Sequence, residues 1–124
     1  MPAVRVLLVE DEGLIRMVTS EFLRDEGFDV TEAWNGEEAA RLLDTVGRFD
    51  VLFTDVQMPG SLDGIDLALF ARRRHPRVPV LIVSGYAAQL VPRLGALQPA
   101  AAFISKPYTL KGIVDALRQL TTPA

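Results

Sequence analysis

Val4-Arg5-Val6-Leu7-Leu8-Val9 is a short, mostly apolar and β-branched run that stops at Glu10-Asp11. Apolarity this continuous over so few residues marks a strand covered on both faces, as in a parallel sheet with helices on either side. Parallel strands need crossover connections, so helix-period segments should alternate with further runs of the same kind. They do. Leu14, Val18 and Phe22, with Ile15 and Leu23, form a helical stripe that ends at Gly27. Phe28 to Ala33 is a weaker, more polar strand, expected nearer the sheet edge. Asn35 and Glu38 form a capping pair ahead of an apolar face of Ala39, Leu42, Leu43 and Val46. Phe49 to Thr54 is a third strand, closed by Asp55, and Leu67, Phe70 and Ala71 give a third helix, stopped by Pro76.

Val80 to Val83 is wholly apolar and ends at Ser84. Ala87 to Leu97 reads as helical, although Pro92 would break its interior or sit in a first turn. Ala101 to Ile104 is the fifth strand, followed by Ser105-Lys106-Pro107. Thr109 then caps a last helix with Leu110, Ile113, Val114, Leu117 and Leu120 inward. Strands and helices alternate strictly, and right-handed crossovers leave few ways to arrange them. The expected fold is α/β: a doubly wound, five-stranded parallel sheet in a three-layer, flavodoxin-like sandwich.

Composition narrows the chemistry. The chain has 124 residues, 49% of them hydrophobic and 23% charged, enough for one domain with its own core. Zero cysteines exclude a disulfide framework, a thiolate zinc site and a cysteine nucleophile. A single histidine, His75, argues against a histidine metal site or a Ser-His-Asp triad. The net charge of −3 gives no overall basic character to suggest nucleic acid. No apolar run approaches the roughly 18 residues of a membrane span, and Met1-Pro2-Ala3 leads straight into the first strand. The expectation is a soluble, cytoplasmic single domain over residues 1–124, without an output domain, acting on neither nucleic acid nor membrane.

In open α/β sheets the functional crevice lies outside the carboxyl ends of the strands. Those ends carry Glu10 and Asp11, then Asp55, then Ser84, then Lys106. Three carboxylates so gathered repel one another by about 4 kcal/mol per close pair at an effective dielectric near 20. A hard divalent cation relieves that repulsion, and an oxygen-only site suits Mg²⁺. Lys106 supplies one compact charge for a phosphoryl oxygen, and Ser84 a hydroxyl donor. Lysine is rare here: 11 of the 13 basic residues are arginine, and the two lysines are Lys106 and Lys111. A carboxylate, a metal site, a lysine and a hydroxyl are the parts of an aspartyl-phosphate centre.

The motifs Val9-Glu10-Asp11-Glu12, Thr54-Asp55-Val56-Gln57-Met58-Pro59-Gly60, Asp63-Gly64, Val83-Ser84-Gly85 and Lys106-Pro107-Tyr108 together resemble the receiver domain of bacterial two-component response regulators, of the CheY-like kind. The resemblance runs from about Val4 to Leu120. It implies that Asp55 is the phosphoacceptor, fed by a sensor histidine kinase or a histidine phosphotransfer protein, with an unknown downstream protein target. It implies Mg²⁺ held by Glu10, Asp11, Asp55 and the backbone carbonyl of Gln57. Ser84 and Lys106 would bind phosphoryl oxygens, Ser84 and Phe103 would form the switch, and Lys106-Pro107 would be a cis peptide. Such a module catalyses only its own phosphorylation and dephosphorylation. The chain departs from the common pattern in its Glu-Asp acidic pair, in Ser at position 84, in Gly85, and in a Met58–Gly64 loop that looks one residue longer. Tyr86 would stand at the mouth of the site, where it could shade a hydrolytic water or face solvent or a partner.

Two rival classes share this strand-end chemistry. A phosphatase of the haloacid dehalogenase type would need a second carboxylate after the nucleophile, where Asp55-Val56-Gln57 has none. A flavin or nucleotide module would need a glycine-rich phosphate loop, where Glu10-Asp11-Glu12 repels phosphate. The remaining polar features read blandly. Arg72-Arg73-Arg74-His75-Pro76-Arg77 complements a helix C-terminus, and Asp63 and Asp66 serve a loop and helix start. Trp34 is either plain surface or a partner contact.

Overall fold

The computed structural model describes residues 2–85 and 87–122, so Tyr86 lies outside the described residues. Ten elements alternate as expected: β1 (Arg5–Val9), α1 (Gly13–Asp25), β2 (Asp29–Ala33), α2 (Gly36–Thr45), β3 (Val51–Asp55), α3 (Gly64–Arg74), β4 (Val80–Ser84), α4 (Ala87–Leu94), β5 (Ala102–Ser105) and α5 (Leu110–Thr121). The five strands form one sheet in the order β2-β1-β3-β4-β5, and every pairing is parallel. The more polar β2 lies at an edge, and the wholly buried β3 and β4 occupy the interior.

The period of two along each strand divides the core between the faces of the sheet. Leu7, Val9, Leu52, Val80 and Ile82 face Ala39 and Leu43 of α2, Ile65, Leu67, Ala68 and Ala71 of α3, and Leu90 of α4. Val6, Leu8, Val51, Phe53, Leu81 and Val83 face Leu23 of α1 and Ile113, Val114 and Leu117 of α5. The three-layer sandwich follows directly from the two clusters.

Helix ends obey the local chemistry. Asn35 Oδ1 accepts the Glu38 amide at 2.8 Å, and Thr109 Oγ1 accepts the Gly112 amide at 3.0 Å. Asp63 and Asp66 form a reciprocal capping box at the start of α3. Gly27, at φ +96°, follows α1 in a backbone conformation that favours glycine.

Three expectations need correction. Leu14, Ile15 and Val18 do not face the core: they are 70%, 38% and 45% exposed, and Thr19, Ser20 and Leu23 are buried instead. The cause is a polar row at Arg16, Ser20 and Arg24 that faces the edge strand. Arg16 Nη1 donates to the Glu10 carbonyl at 2.8 Å and its Nε lies 3.5 Å from Glu32, while Arg24 Nη2 donates to the Val30 carbonyl and to Glu32. Turning that row toward β2 turns the apolar stripe outward. Val46 is exposed because it sits at the C-cap of α2 and no longer on its inward face. Finally α4 keeps Pro92 inside the helix but ends at Leu94, short of Leu97, which is buried beyond it.

The strand N-termini form the opposite pole from the acidic strand ends. There a cleft is lined by Arg48, Arg74, His75 and Arg77, together with Asp50. Arg74 stacks on Phe70 at 3.6 Å and pairs with Asp44 at 2.5 Å, and Arg72 donates to the carbonyls of Val78 and Pro99. The arginine cluster thus serves the end of α3 and its surroundings.

One close approach fixes the junction of β3 and α3. The Gly64 amide donates to the Val56 carbonyl at 3.0 Å, and a Cβ at Gly64 would lie 2.0 Å from the Asp55 carbonyl oxygen. Backbone, not a flexible side chain, occupies that space. Gly64→Ala is therefore expected to destabilise the fold by about 2–3 kcal/mol, as overpacking of a full core does. Urea unfolding of the two proteins checks this, and equal midpoints would mean the junction yields easily.

Candidate functional site

The parallel ladder carries the polar strand ends to one place. The Val56 amide donates to Val83, and the Lys106 amide donates to Ser84 at 3.0 Å, so the tips of β3, β4 and β5 are joined by main-chain bonds. The Glu10 amide bonds the Ala33 carbonyl and anchors the tip of β1 in the same way. Thr54 Oγ1, fully buried, donates to the Asp55 carbonyl at 2.8 Å. Asp55 is therefore held from both sides of its peptide, by Thr54 and by the packed Gly64.

The expected acidic set does converge. Glu10, Asp11 and Asp55 each offer a carboxylate oxygen within 4.8 Å of the others. Asp55 is 4% exposed, Glu10 is also buried and Asp11 is exposed, so the cluster is open on one side. Lys106 Nζ donates to Asp55 Oδ2 at 2.5 Å. Asp55 Oδ1, buried beside it, has no hydrogen-bond partner among the described residues. A buried carboxylate oxygen left this way costs about 1–3 kcal/mol, more for a charged group. Together with an all-oxygen donor set, it fits a hard cation.

Ser84 is completely buried, and its hydroxyl donates to Gln57 Oε1 at 3.1 Å. Gln57, itself exposed, lines a cleft with Asp11, Met58, Pro59, Asp63, Leu90 and Arg93. Phe103 pairs in register with Ile82 and lies half-buried against the core cluster shared by α2, α3 and α4. Lys106-Pro107 is a cis peptide, as the resemblance implied, and Gln98-Pro99 is a second.

Other neighbours of the site had no signal in the linear sequence. Arg93 of α4 forks onto Asp63 at 2.6 and 3.1 Å and reaches Asp66 at 3.1 Å, tying α4 to the cap of α3. A second cleft, on the α1 side, is lined by Glu10, Ile15, Lys106, Pro107 and Tyr108. These contacts join residues far apart in the chain, and motif spacing is blind to them.

Charge crowding shows in the titration of the site. Burial pushes the Glu10 carboxyl up, the Glu12 amide pulls it partly back, and the Asp55 charge and the Asp11 hydrogen bond raise it further, to about 7. Partial burial pulls the Lys106 ammonium down, but the hydrogen bond and charge of Asp55, with the charge of Glu10, outweigh it and hold it above its ordinary value. Burial first, and then Glu10, raises the Tyr108 phenol.

Below the ordinary carboxyl value of 4.5, Glu10 is protonated in the folded and the unfolded chain alike. As pH rises to about 7, the unfolded chain releases that proton while the folded chain still holds it, so this contribution to stability is lost across the interval. In EDTA the melting temperature is expected to drop by several degrees between about pH 5 and pH 8, and by much less in Glu10→Gln. Identical pH profiles for the two proteins would mean that Glu10 is not crowded.

Comparison with known proteins gives the context. Residues 6–118 match the family model of the response regulator receiver domain. The sensor kinase CckA of Brucella abortus (strain 2308) is 34% identical over 116 residues, 93% of this chain and 12% of that protein. The transcriptional regulatory protein PdtaR of Mycobacterium tuberculosis (strain CDC 1551 / Oshkosh) is 34% identical over 115 residues, 91% of this chain and 54% of that protein. The chain thus spans about half or less of the length of these curated relatives. Among solved structures, the Vibrio cholerae chemotaxis protein CheY4 matches with a TM-score of 0.85 at 26% identity, covering 95% of this chain and 98% of that one. With the five-stranded parallel sheet and the acidic cluster at its carboxyl end, the chain belongs to the response regulator receiver domain family.

Proposed function

We propose that this domain accepts a phosphoryl group onto Asp55 from a sensor histidine kinase or a histidine phosphotransfer protein, in a Mg²⁺-dependent reaction, and then switches conformation to signal to a partner protein. The observation that carries the reading is the state of the Asp55 carboxylate. It is buried beside two more carboxylates, one oxygen bound by Lys106 at 2.5 Å and the other without a hydrogen-bond partner among the described residues.

Glu10, Asp11 and Asp55, with the backbone carbonyl of Gln57, are the residues that would hold Mg²⁺. Once bound, the cation offsets the clustered negative charge and polarises phosphoryl oxygens. The chain's own groups do the rest. An Asp55 oxygen attacks phosphorus as the donor imidazole departs, so an O–P bond replaces an N–P bond. Lys106, already within hydrogen-bond reach of Asp55, follows the new negative charge onto a phosphoryl oxygen. Ser84 donates its hydroxyl to another, and Phe103, half-buried next in register to Ile82, responds to that movement.

The outward face of α1 supports the choice of donor. Leu14, Ile15, Met17 and Val18 are all exposed, and Ile15 also lines the cleft beside Lys106. An apolar patch that reaches the cleft beside Lys106 suits a protein that must bring its own histidine to Asp55. No helix among the described residues is long and apolar enough to cross a membrane. The phosphatase reading lacks its acid residue after Asp55, and the nucleotide reading meets an acidic cluster where phosphate would sit.

Acetyl phosphate with Mg²⁺ is expected to leave a stable mass gain on Asp55, and Asp55→Asn to abolish it. Full labelling of that variant would refute the assignment. Lys106→Arg keeps the charge but fixes its donors in a larger plane, so labelling is expected to slow at least tenfold; mass spectrometry of timed reactions measures it. Val18→Arg is expected to slow transfer from a host histidine kinase that labels the wild type far more than it slows labelling by acetyl phosphate. Equal slowing of both reactions would remove α1 from the donor interface.

A further inference from the structure

Among the described residues, the Ser84 hydroxyl donates to Gln57 Oε1 at 3.1 Å. Ser84 is completely buried at the tip of β4, and its carbonyl is bound to the Lys106 amide. Gln57 follows β3 on the exposed loop, so a surface side chain reaches inward to hold a buried group. From this we infer that the Gln57 side chain is a positioning residue, a latch that holds the Ser84 hydroxyl in its resting orientation and competes with the phosphoryl group for the same proton. The inference rests on the phosphoacceptor reading above, but concerns a side chain to which that reading gives no role.

The logic is one of differential stabilisation. A contact present only in the resting state shifts the balance between two states by its whole net worth. The phosphorylated site needs the Ser84 proton turned toward a phosphoryl oxygen, and the bond to Gln57 must then break. Removing the acceptor lifts that cost from the phosphorylated side alone. The net worth of one such bond corresponds to about a fivefold change in an equilibrium constant. Gln57 is exposed, so replacing its side chain leaves the core untouched. The cleft it shares with Asp11, Leu90 and Arg93 gives the released side chain room to move.

Beryllofluoride with Mg²⁺, which mimics the phosphoryl group, provides the probe, with bound fluoride read by fluorine NMR. Four proteins complete a double-mutant cycle: wild type, Gln57→Met, Ser84→Ala and the double variant. Gln57→Met is nearly isosteric but cannot accept comparably, and should bind beryllofluoride about fivefold more tightly than wild type. In the Ser84→Ala background the same substitution should change nothing, because the group it held is gone. Gln57→Asn keeps the amide but shortens its reach, and should shift affinity in the same direction as Gln57→Met. Weaker binding by Gln57→Met, unchanged binding, or an equal gain in both backgrounds would overturn the latch. Failure of the wild type to bind beryllofluoride at all, with no label on Asp55 from acetyl phosphate, would overturn the phosphoacceptor reading and the latch with it.

Discussion

Three carboxylates and one ammonium at the end of an apolar sheet set the terms for everything around them. Glu10, Asp11 and Asp55 bring their oxygens within 4.8 Å of one another, and Lys106 answers only part of that charge. Such an arrangement cannot be held by the side chains alone, because each would relax away from the others. It is held by main chain. The Glu10, Val56 and Lys106 amides extend the ladder to the strand tips, and the Thr54 hydroxyl and Gly64 clamp the Asp55 carbonyl. The hydrophobic faces beneath supply the stability that lets the tips stay strained, a trade common at functional sites.

The same constraint explains why this site is built at strand ends rather than on a helix or a long loop. Parallel strands bonded to one another present neighbouring residues at fixed lateral spacing. Asp55 and Ser84 end the adjacent strands β3 and β4, and Lys106 directly follows the neighbouring β5 with its amide bonded to Ser84, so their separations are inherited from the sheet. Only the loops after the strands are left to adjust, and they carry Gln57, Asp63 and the cleft residues.

Much of this was legible in the chain because apolar runs and polar stops are local signals. The runs ending at Glu10, Asp55 and Ser84 mark the interior strands, and the strand-end rule then gathers the site without any knowledge of distance. The edge position of β2 followed from its polarity, and the caps at Asn35, Asp63 and Thr109 from their side chains. The rotation of α1 was misread for a physical reason. Its apolar stripe was real, but Arg16, Ser20 and Arg24 form a competing row whose partners, Glu32 and the Val30 carbonyl, lie on another element. The bonds from Arg93 to Asp63 and from Ser84 to Gln57 were invisible for the same reason, since each spans about a quarter of the chain. Periodicity reports which face a helix could bury, while long-range polar pairs decide which face it does.

The arginine-lined cleft at the strand N-termini has a consequence at a distance from any contact. Arg48, Arg74 and Arg77 stand at one pole, offset in part by Asp44 and Asp50, and Glu10, Asp11 and Asp55 stand at the other, offset in part by Lys106, so the two ends of the strands differ in charge. A partner carrying a positive rim around the group it brings would turn this domain before touching it. The acidic pole swings toward the visitor and the arginine pole swings away. Orientation, usually the slow part of finding a small reactive patch by rotational diffusion, is then partly done at the range of a Debye length, about 8 Å at physiological salt. A net charge of only −3 thus conceals how unevenly the charge is placed along the strands.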